Sequence, residues 1–192
     1  MATKATYCVK FRRRRTGKTN YKKRLAMAKS GQARLSVRVS NREVKVQVIE
    51  IQRAGDRTIA EFNSGKLKTF GWIESKNLPS AYLTGLACGC IAVSKKADIA
   101  VFDLGFRAPV HGSVPFAALK GAVDAGMKIK HDEKALPSEE RLKGNHIENY
   151  ANSLDSEAFN KIFSSYVKKG FDVKNISKKF EEVKEKIIKN KW

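Results

Sequence analysis

The residues best suited to chemistry lie near the front of the chain, between Phe11 and Arg24, in the sequence FRRRRTGKTNYKKR. Residues 1–30 contain eleven Lys or Arg and no Asp or Glu, so they supply more than half of the formal net charge of +20. Four consecutive guanidinium groups cannot enter a core without counter-charges, because burying each one would cost several kcal/mol. This basic arm, residues 1–30, predicts the binding of a polyanion.

The residue types in the arm favour nucleic acid as that polyanion. The planar guanidinium of arginine can hold two phosphate oxygens, contact a guanine edge or stack on an unpaired base. Tyr21 lies beside the basic triplet Lys22–Arg24 and adds a ring of the kind that stacks on bases. We therefore expect that the positive charge of the arm has no protein partner, and that the arm becomes ordered only when nucleic acid neutralises it.

Two other interpretations of the arm are a solvated basic tail or localisation signal, and a helix that lies on a membrane surface. The membrane interpretation requires a bulky apolar face, for which the arm offers only Phe11, Tyr21 and Leu25. Gly17-Lys18-Thr19 resembles the end of a phosphate-binding loop, but that motif needs a glycine at position 12, which is Arg. An NTPase is therefore not expected.

Residues that could serve catalysis are scattered along the chain. Cys88 and Cys90 are two apart in a predicted helix without a CxxC pair, so a zinc site is not expected. The three histidines, His111, His131 and His146, match no nucleophile or metal pattern. A metal-binding group of Asp98, Asp103 and Asp124 stays open as an alternative, although acids at strand ends and on helix surfaces are the simpler interpretation.

Length and composition favour one α/β domain with extensions. The 192 residues are 42% hydrophobic, which excludes global disorder, and the pI near 10.0 makes the molecule a cation attracted to nucleic acid. No apolar run of about 18 residues occurs, so a membrane span is not predicted. An odd number of cysteines, three, does not predict a disulfide framework and fits a reducing cytoplasm.

Alternating apolar residues predict three consecutive antiparallel strands, at 34–39, 44–48 and 58–62. A change of phase at Ile49 and Ile51 predicts either a bulge in the second strand or burial on both of its faces. Basic residues occupy the predicted outward face: Arg34, Arg38 and Lys45. We expect this face to extend the basic surface of the arm.

A βαβ unit is predicted to complete the sheet. Residues 63–79 are a predicted long loop, and a helix follows from Ser80 to the Lys95-Lys96 pair, with small residues that indicate close packing. The apolar run 98–104 predicts a strand covered on both faces. The fold class is thus α/β, a mixed sheet of antiparallel strands plus a βαβ unit.

Further elements follow this sheet. A second helix is predicted from about Val114 to Ala125. The free backbone amides at the N-terminus of this helix, after the loop 105–113, could hold a phosphate. A separate, largely helical C-terminal extension covers residues 128–192, with a loop and helix start at 137–141 and helices at 156–168 and 177–189. The predicted parts are therefore the arm, residues 1–30, an α/β core, residues 31–127, and this extension.

Five blocks occur in a recognisable order: Arg12–Arg24, PSAYLTG at 79–85, FDLG at 102–105, GSVPFAALKGAVDAG at 112–126 and RLKGNHI at 141–147. They resemble the large-subunit ribosomal protein family called L-eighteen in bacteria and archaea and L-five in eukaryotes. The resemblance covers roughly residues 5–150. The length of the chain is similar to that of the archaeal type.

The resemblance implies a non-enzymatic protein without cofactor or metal. It would bind 5S rRNA and anchor it to the large-subunit (23S-type) rRNA in the central protuberance, beside neighbouring ribosomal proteins, in the cytoplasm. The RNA contacts it implies are Arg12, Arg13, Arg14, Arg15, Lys18, Asn20, Tyr21, Lys22, Lys23 and Arg24, with His111, Gly112 and Ser113 from the loop before the second helix. The alternatives are a chromatin-like protein, although no DNA-binding motif occurs, and a metal-dependent nuclease.

Overall fold

Four strands with alternating apolar residues form one mixed sheet in a computed structural model that describes residues 5–190 and 192. The strands are β1 (Ala33–Val39), β2 (Val44–Gln52), β3 (Gly55–Asn63) and β4 (Ala100–Asp103), in the order β3-β2-β1-β4. β1 pairs antiparallel with β2 and parallel with β4, and β2 pairs antiparallel with β3. The predicted fold class is confirmed, and the bulge predicted at Ile49 lies between Val48 and Ile49.

Two helices cover the inner face of the sheet, α3 (Leu78–Ser94) and α4 (Val114–Asp124). The predicted start of α3 at Ser80 is wrong by two residues, because Asn77 caps the helix by accepting the Ser80 backbone N–H at 2.9 Å. The predicted close packing is confirmed. A Cβ on Gly85 would overlap the backbone of Ala118, and one on Gly121 would overlap the Tyr82 carbonyl.

Two connections differ from the prediction. The expected loop at 63–79 contains a 3-10 helix, Ser64–Phe70, whose first turn is capped by Asn63. β4 is only four residues long and lies at the sheet edge, and Val101 and Phe102 are only partly buried, so the prediction of a strand covered on both faces at 98–104 is wrong. The parallel neighbour of β4 is β1, which means that the connection from β3 through α3 crosses over two strands.

Two arm helices and five C-terminal helices complete the described chain. The arm contains α1 (Arg12–Arg15) and α2 (Tyr21–Lys29). The predicted helix at 156–168 is divided at Phe163. The helix start expected at 137–141 is confirmed by a helix that begins at Glu139, and the helix at 145–153 was not predicted. The C-terminal helices are α5 (Glu139–Lys143), α6 (Asn145–Ser153), α7 (Ser156–Ile162), α8 (Ser164–Lys168) and α9 (Ile176–Lys189).

The C-terminal region packs on the core of the sheet, so the expectation of a separate extension is wrong. α9 buries Ile176, Phe180, Val183 and Ile187 in the same hydrophobic cluster as the sheet and α3. The Phe180 ring lies 5.4 Å from the Tyr82 ring, centroid to centroid. The limits of the three predicted parts, at residues 30 and 127, stay predictions.

No helix within residues 5–190 is long and apolar enough to cross a membrane.

Candidate nucleic-acid interface

The arm folds into two short helices joined by a turn. Gly17 turns the chain after α1 with a φ of 64°, a conformation that glycine adopts without steric cost. Arg13 Nε then donates to the Thr19 hydroxyl at 2.8 Å, and Asn20 caps α2 by accepting the Lys23 N–H at 3.2 Å. The expectation that the arm becomes ordered only when RNA binds stays a prediction. Asn20, predicted as an RNA contact, has a structural role as well.

Most predicted cations of the arm are exposed and have no carboxylate partner. Within the described part of the chain, no salt bridge involves Arg12–Arg15, Lys18, Lys22 or Lys23, and the side chains of these residues face solvent. The first helix consists of four arginines without a buried residue. These side chains are therefore free to donate to phosphate oxygens at the cost of little more than their own ordering.

An aromatic pair lies at the base of this cationic surface. The rings of Phe11 and Tyr21 have centroids 5.3 Å apart and are tilted by 57°. Phe11 is exposed and Tyr21 is partly covered by it. An exposed ring beside several guanidinium groups is a surface on which an unpaired base can stack.

Arg24 is the exception among the predicted arm contacts. Its Nη2 lies 2.8 Å from both carboxylate oxygens of Asp56, at the start of β3. The expectation that the arm has no protein partner is therefore wrong at this residue. The pair joins α2 to the outer face of the sheet, opposite the face that α3 and α4 cover.

The cations on the outer face of the sheet are paired as well. Arg34 donates to Asp56 at 2.6 Å and to Asp103 at 2.8 Å, and Arg38 donates to Asp103 at 2.7 Å. Lys45 pairs with a carboxylate of β3, Glu61, at 2.9 Å. Because each cation has a carboxylate neighbour, the prediction that this face extends the basic surface is wrong.

The electrostatics of Asp103 follow from its surroundings. Burial alone would raise the pKa of this carboxyl group. The charge and hydrogen bond of Arg38, the Gly105 backbone N–H at 2.8 Å and the charge of Arg34 outweigh burial and hold its pKa below the ordinary value of 3.8. Asp103 is therefore a carboxylate at neutral pH.

A cleft of about 230 Å³ lies between the arm and the sheet. The arm–sheet cleft is lined by cations from both sides together with two carboxylates. They are Arg13, Lys18, Lys23, Arg24, Arg34 and Arg38, with Asp56 and Asp103. Six cations against two carboxylates leave the cleft positive, which suits an anionic ligand.

The other predicted contact loop lies elsewhere. His111, Gly112 and Ser113 precede α4, and none of them lines the arm–sheet cleft. The Gly112 N–H donates to the Ala135 carbonyl at 2.9 Å, and the Ser113 carbonyl accepts the Phe116 N–H at 2.9 Å. The structure does not bring these three residues together with the arm.

The three aspartates considered for a metal site also lie apart. Asp98 pairs with Lys128 at 3.0 Å, Asp103 belongs to the arginine pairs, and Asp124 accepts the Tyr82 hydroxyl at 2.7 Å. No group of three or more metal-ligating side chains occurs in the described residues. Gly17-Lys18-Thr19 follows a helix, whereas a phosphate-binding loop follows a strand.

Sequence reasoning missed Asp56 and Asp103 as partners of the arginines. The only signal was the alternation that places Arg34 and Arg38 on one face of β1, on either side of Ser36. The parallel register puts Asp103 opposite Ser36, and hence between the two arginines. Such a register can be known only once β1 and β4 are known to be neighbours.

Comparison with known proteins first gives the class. Residues 5–98 match the family model described as ribosomal large subunit proteins 60S L5 and 50S L18. The chain is 49% identical to the large ribosomal subunit protein uL18 of Caldivirga maquilingensis, over 98% of this chain and 93% of the relative. It is 43% identical to the uL18 protein of Methanothermobacter thermautotrophicus, and the match covers 97% of this chain and 98% of the relative. It is also 43% identical to the uL18 protein of Methanobrevibacter smithii, with 97% of each chain covered.

The chain therefore belongs to the uL18 family of large ribosomal subunit proteins. The resemblance predicted from the five sequence blocks is confirmed, and the relatives are archaeal, as expected from the length. The family consists of structural ribosomal proteins, which confirms the prediction that the protein is not an enzyme and that it resides in the cytoplasm as part of the ribosome.

Proposed function

We propose that this protein is a structural component of the large ribosomal subunit that binds 5S rRNA through its basic arm. It anchors the 5S rRNA to the large-subunit rRNA in the central protuberance, among the ribosomal proteins that surround it there. One observation carries the proposal: seven cations of the arm, Arg12–Arg15, Lys18, Lys22 and Lys23, face solvent without a carboxylate partner in a chain of the uL18 family.

The chemistry of the arm suits RNA because of how RNA is recognised. A-form helices hide the base edges of their deep major groove, so proteins contact phosphates, 2′-hydroxyls and unpaired bases instead. Free guanidinium groups supply the phosphate contacts, and the exposed Phe11 beside Tyr21 supplies a stacking surface. His111, Gly112 and Ser113 form a second candidate contact, at the start of α4.

The test is the binding of 5S rRNA from Caldivirga maquilingensis, measured by filter binding over a range of KCl concentrations. Replacing Arg12–Arg15 with glutamine should weaken binding about 100-fold. It should also lower the dependence of log K on log [KCl] by about 3, because each lost phosphate contact removes roughly 0.7 to 0.9 from that slope. The core should remain folded, since none of the four side chains is buried.

The matched control removes the same charge elsewhere on the surface. Four exposed lysines outside the described salt bridges serve for this: Lys134, Lys161, Lys178 and Lys186, each replaced with glutamine. If the control weakens binding as much as the arm variant, the arm has no special role. If duplex DNA competes as well as 5S rRNA at the same salt concentration, the protein is a general nucleic-acid-binding protein and the proposal fails.

A further inference from the structure

Five charged side chains form a continuous network that runs from the arm across the outer face of the sheet. Arg24 of α2 contacts Asp56 at the start of β3, and Asp56 contacts Arg34 of β1. Arg34 also contacts Asp103 at the end of β4, and Asp103 contacts Arg38. Every link is between 2.6 and 2.8 Å. The ion-pair network therefore joins α2 to both edge strands and to β1.

Exposure increases from the centre of the network toward both of its ends, Arg24 in the arm and Arg38 in β1, which is 43% exposed. The side chain of Asp103 is 4% exposed and that of Arg34 is 9% exposed, whereas Asp56 is 24% and Arg24 is 40% exposed. Buried charges with several hydrogen bonds keep a fixed geometry, because breaking one pair leaves an uncompensated charge. Arg34 and Asp103 thus hold Asp56 in place, and Asp56 presents its carboxylate to the arm.

Arg34 is oriented by the two carboxylates alone. Its two terminal nitrogens donate to Asp56 and Asp103, while its buried Nε has no hydrogen-bond partner among the described residues. The geometry that bridges both aspartates therefore leaves one donor of Arg34, the Nε–H, without a partner among the described residues. Arg34 and Asp56 consequently act as one unit.

Apolar packing of α2 against the sheet is confined to the half-buried Met27, which lines the arm–sheet cleft together with Ile49. None of the side chains of α2 is buried within the described structure, and Leu25 points to solvent. Among the described residues, the polar contact that joins this helix to a strand is that of Arg24 Nη2 with both carboxylate oxygens of Asp56. The position of α2, and with it that of Lys22 and Lys23, depends on Asp56.

We propose that Asp56 is a positioning residue that docks α2 on the sheet and so preorganises the arm for RNA. The inference rests on the proposed function and adds to it a role for an acidic residue. A flexible arm would have to be ordered when it binds, and that ordering would weaken affinity. An arm already held by Asp56 avoids much of this loss.

The sign of one mutational effect separates this role from simple electrostatics. Asp56 is an anion in a positive cleft, so Coulomb's law alone predicts that removing its charge would strengthen the binding of RNA. A docking role predicts the opposite, because the arm would lose its fixed position. Asp56→Asn should therefore weaken the binding of 5S rRNA about 5-fold or more, although the net charge of the protein rises by one.

Glu50→Gln is the matched control in the same hairpin. Glu50 lies opposite Arg57 in the β2–β3 register and accepts a hydrogen bond from Gln52, and no hydrogen bond or salt bridge joins it to the described residues of the arm. Glu50→Gln changes the net charge by the same amount as Asp56→Asn does, and the affinity of this variant for 5S rRNA should equal or slightly exceed that of the wild type. The docking role is refuted if Asp56→Asn binds 5S rRNA as tightly as Glu50→Gln does.

A second measurement needs no RNA. Trypsin cleaves after Lys and Arg, so the rate of cleavage after Lys22, Lys23 and Lys29, sites that every variant keeps, reports whether α2 is held on the sheet. Asp56→Asn and Arg24→Gln should each raise this rate about 3-fold or more, and the double variant should be no faster than either single one. If Asp56→Asn fails to fold, Arg24→Gln alone tests the docking role, because the Arg24 side chain is 40% exposed and its replacement leaves the buried pairs intact.

The outcomes distinguish the two proposals. A wild-type protein that does not bind 5S rRNA refutes the proposed function, while faster cleavage in the two variants would still show docking. A wild-type protein that binds, with cleavage rates unchanged in Arg24→Gln and Asp56→Asn, refutes the docking role alone.

Discussion

At the scale of single residues, Asp103 shows how a carboxylate in a basic protein becomes part of the fold. It is almost fully buried and accepts hydrogen bonds from two arginines and the Gly105 N–H. Its pKa is below the ordinary value because these donors outweigh the effect of burial. Its charge therefore stabilises the folded state and not the unfolded one.

This makes the stability dependent on pH in a definite direction. Because the pKa of Asp103 is lower in the folded chain than in the unfolded one, the contribution is complete above the unfolded pKa, near 3.8, and is lost as the pH falls through the lower folded pKa. At pH 7, we expect Asp103→Asn to reduce the free energy of unfolding by about 3 kcal/mol. The difference from the wild type should shrink below pH 4, as measured by urea unfolding across pH.

Asp155→Asn is the control for this prediction, since Asp155 is exposed and makes no side-chain cap bond at α7. Its effect should stay within about 0.5 kcal/mol at every pH. An Asp103→Asn protein as stable as the control at pH 7 would show that the network contributes nothing.

At the scale of elements, the closest packing is between α3 and α4. Gly85 and Gly121 let the two backbones approach to distances that a Cβ would prevent. In an exposed helix, Gly→Ala stabilises by about 1 kcal/mol. At Gly121 the sign should reverse, because the new methyl group would meet the Tyr82 carbonyl.

We expect Gly121→Ala to lower the free energy of unfolding by about 2 kcal/mol or more, as measured by chemical denaturation. Gly65→Ala is the matched change, because a Cβ there meets its neighbours only at ordinary contact distances. It should lie within about 0.5 kcal/mol of the wild type. Equal effects at the two sites would contradict the packing argument.

The elements that the sequence predicted well are those with a strong local signal. Alternation identified β1, β2 and β3, and the small residues of α3 identified a close helix contact. The start of α3 was misplaced because Asn77 caps the helix before the proline that suggested its beginning. The helix α6 has one buried residue, so its apolar period was too weak to recognise, and α5 was predicted only by its start.

The candidate site could be predicted only in part, for a related reason. The cations of the arm are contiguous in sequence, and their exposure followed from their number. Asp56 is 32 residues from Arg24, and Asp103 is 69 residues from Arg34. Pairs at such separations depend on sheet order and register, which no local pattern contains.

At the scale of the whole molecule, the sheet separates two surfaces with different roles. The arm lies on its outer face, and the helices, including the C-terminal α9, pack on its inner side. Phe180 of α9 contacts Tyr82 and Trp72 of the central cluster. The C-terminal region therefore shares one core with the sheet.

One core predicts one unfolding transition. Phe180→Ala should lower the free energy of unfolding of the entire molecule by about 3 kcal/mol or more, with circular dichroism and tryptophan fluorescence changing together. Ile188→Ala, an exposed change on the same helix, should have little effect. Two transitions, with only one shifted by Phe180→Ala, would restore the interpretation of a separate extension.

The long separations within the ion-pair network also matter while the protein is being made. The arginines of the arm leave the ribosome first, Asp56 follows, and Asp103 emerges another 47 residues later. At about 5–20 residues per second, Arg24 spends seconds beside the RNA of the synthesising ribosome before its carboxylate partner, Asp56, has been made. The order of synthesis thus exposes Arg24 to RNA before Asp56 can pair with it.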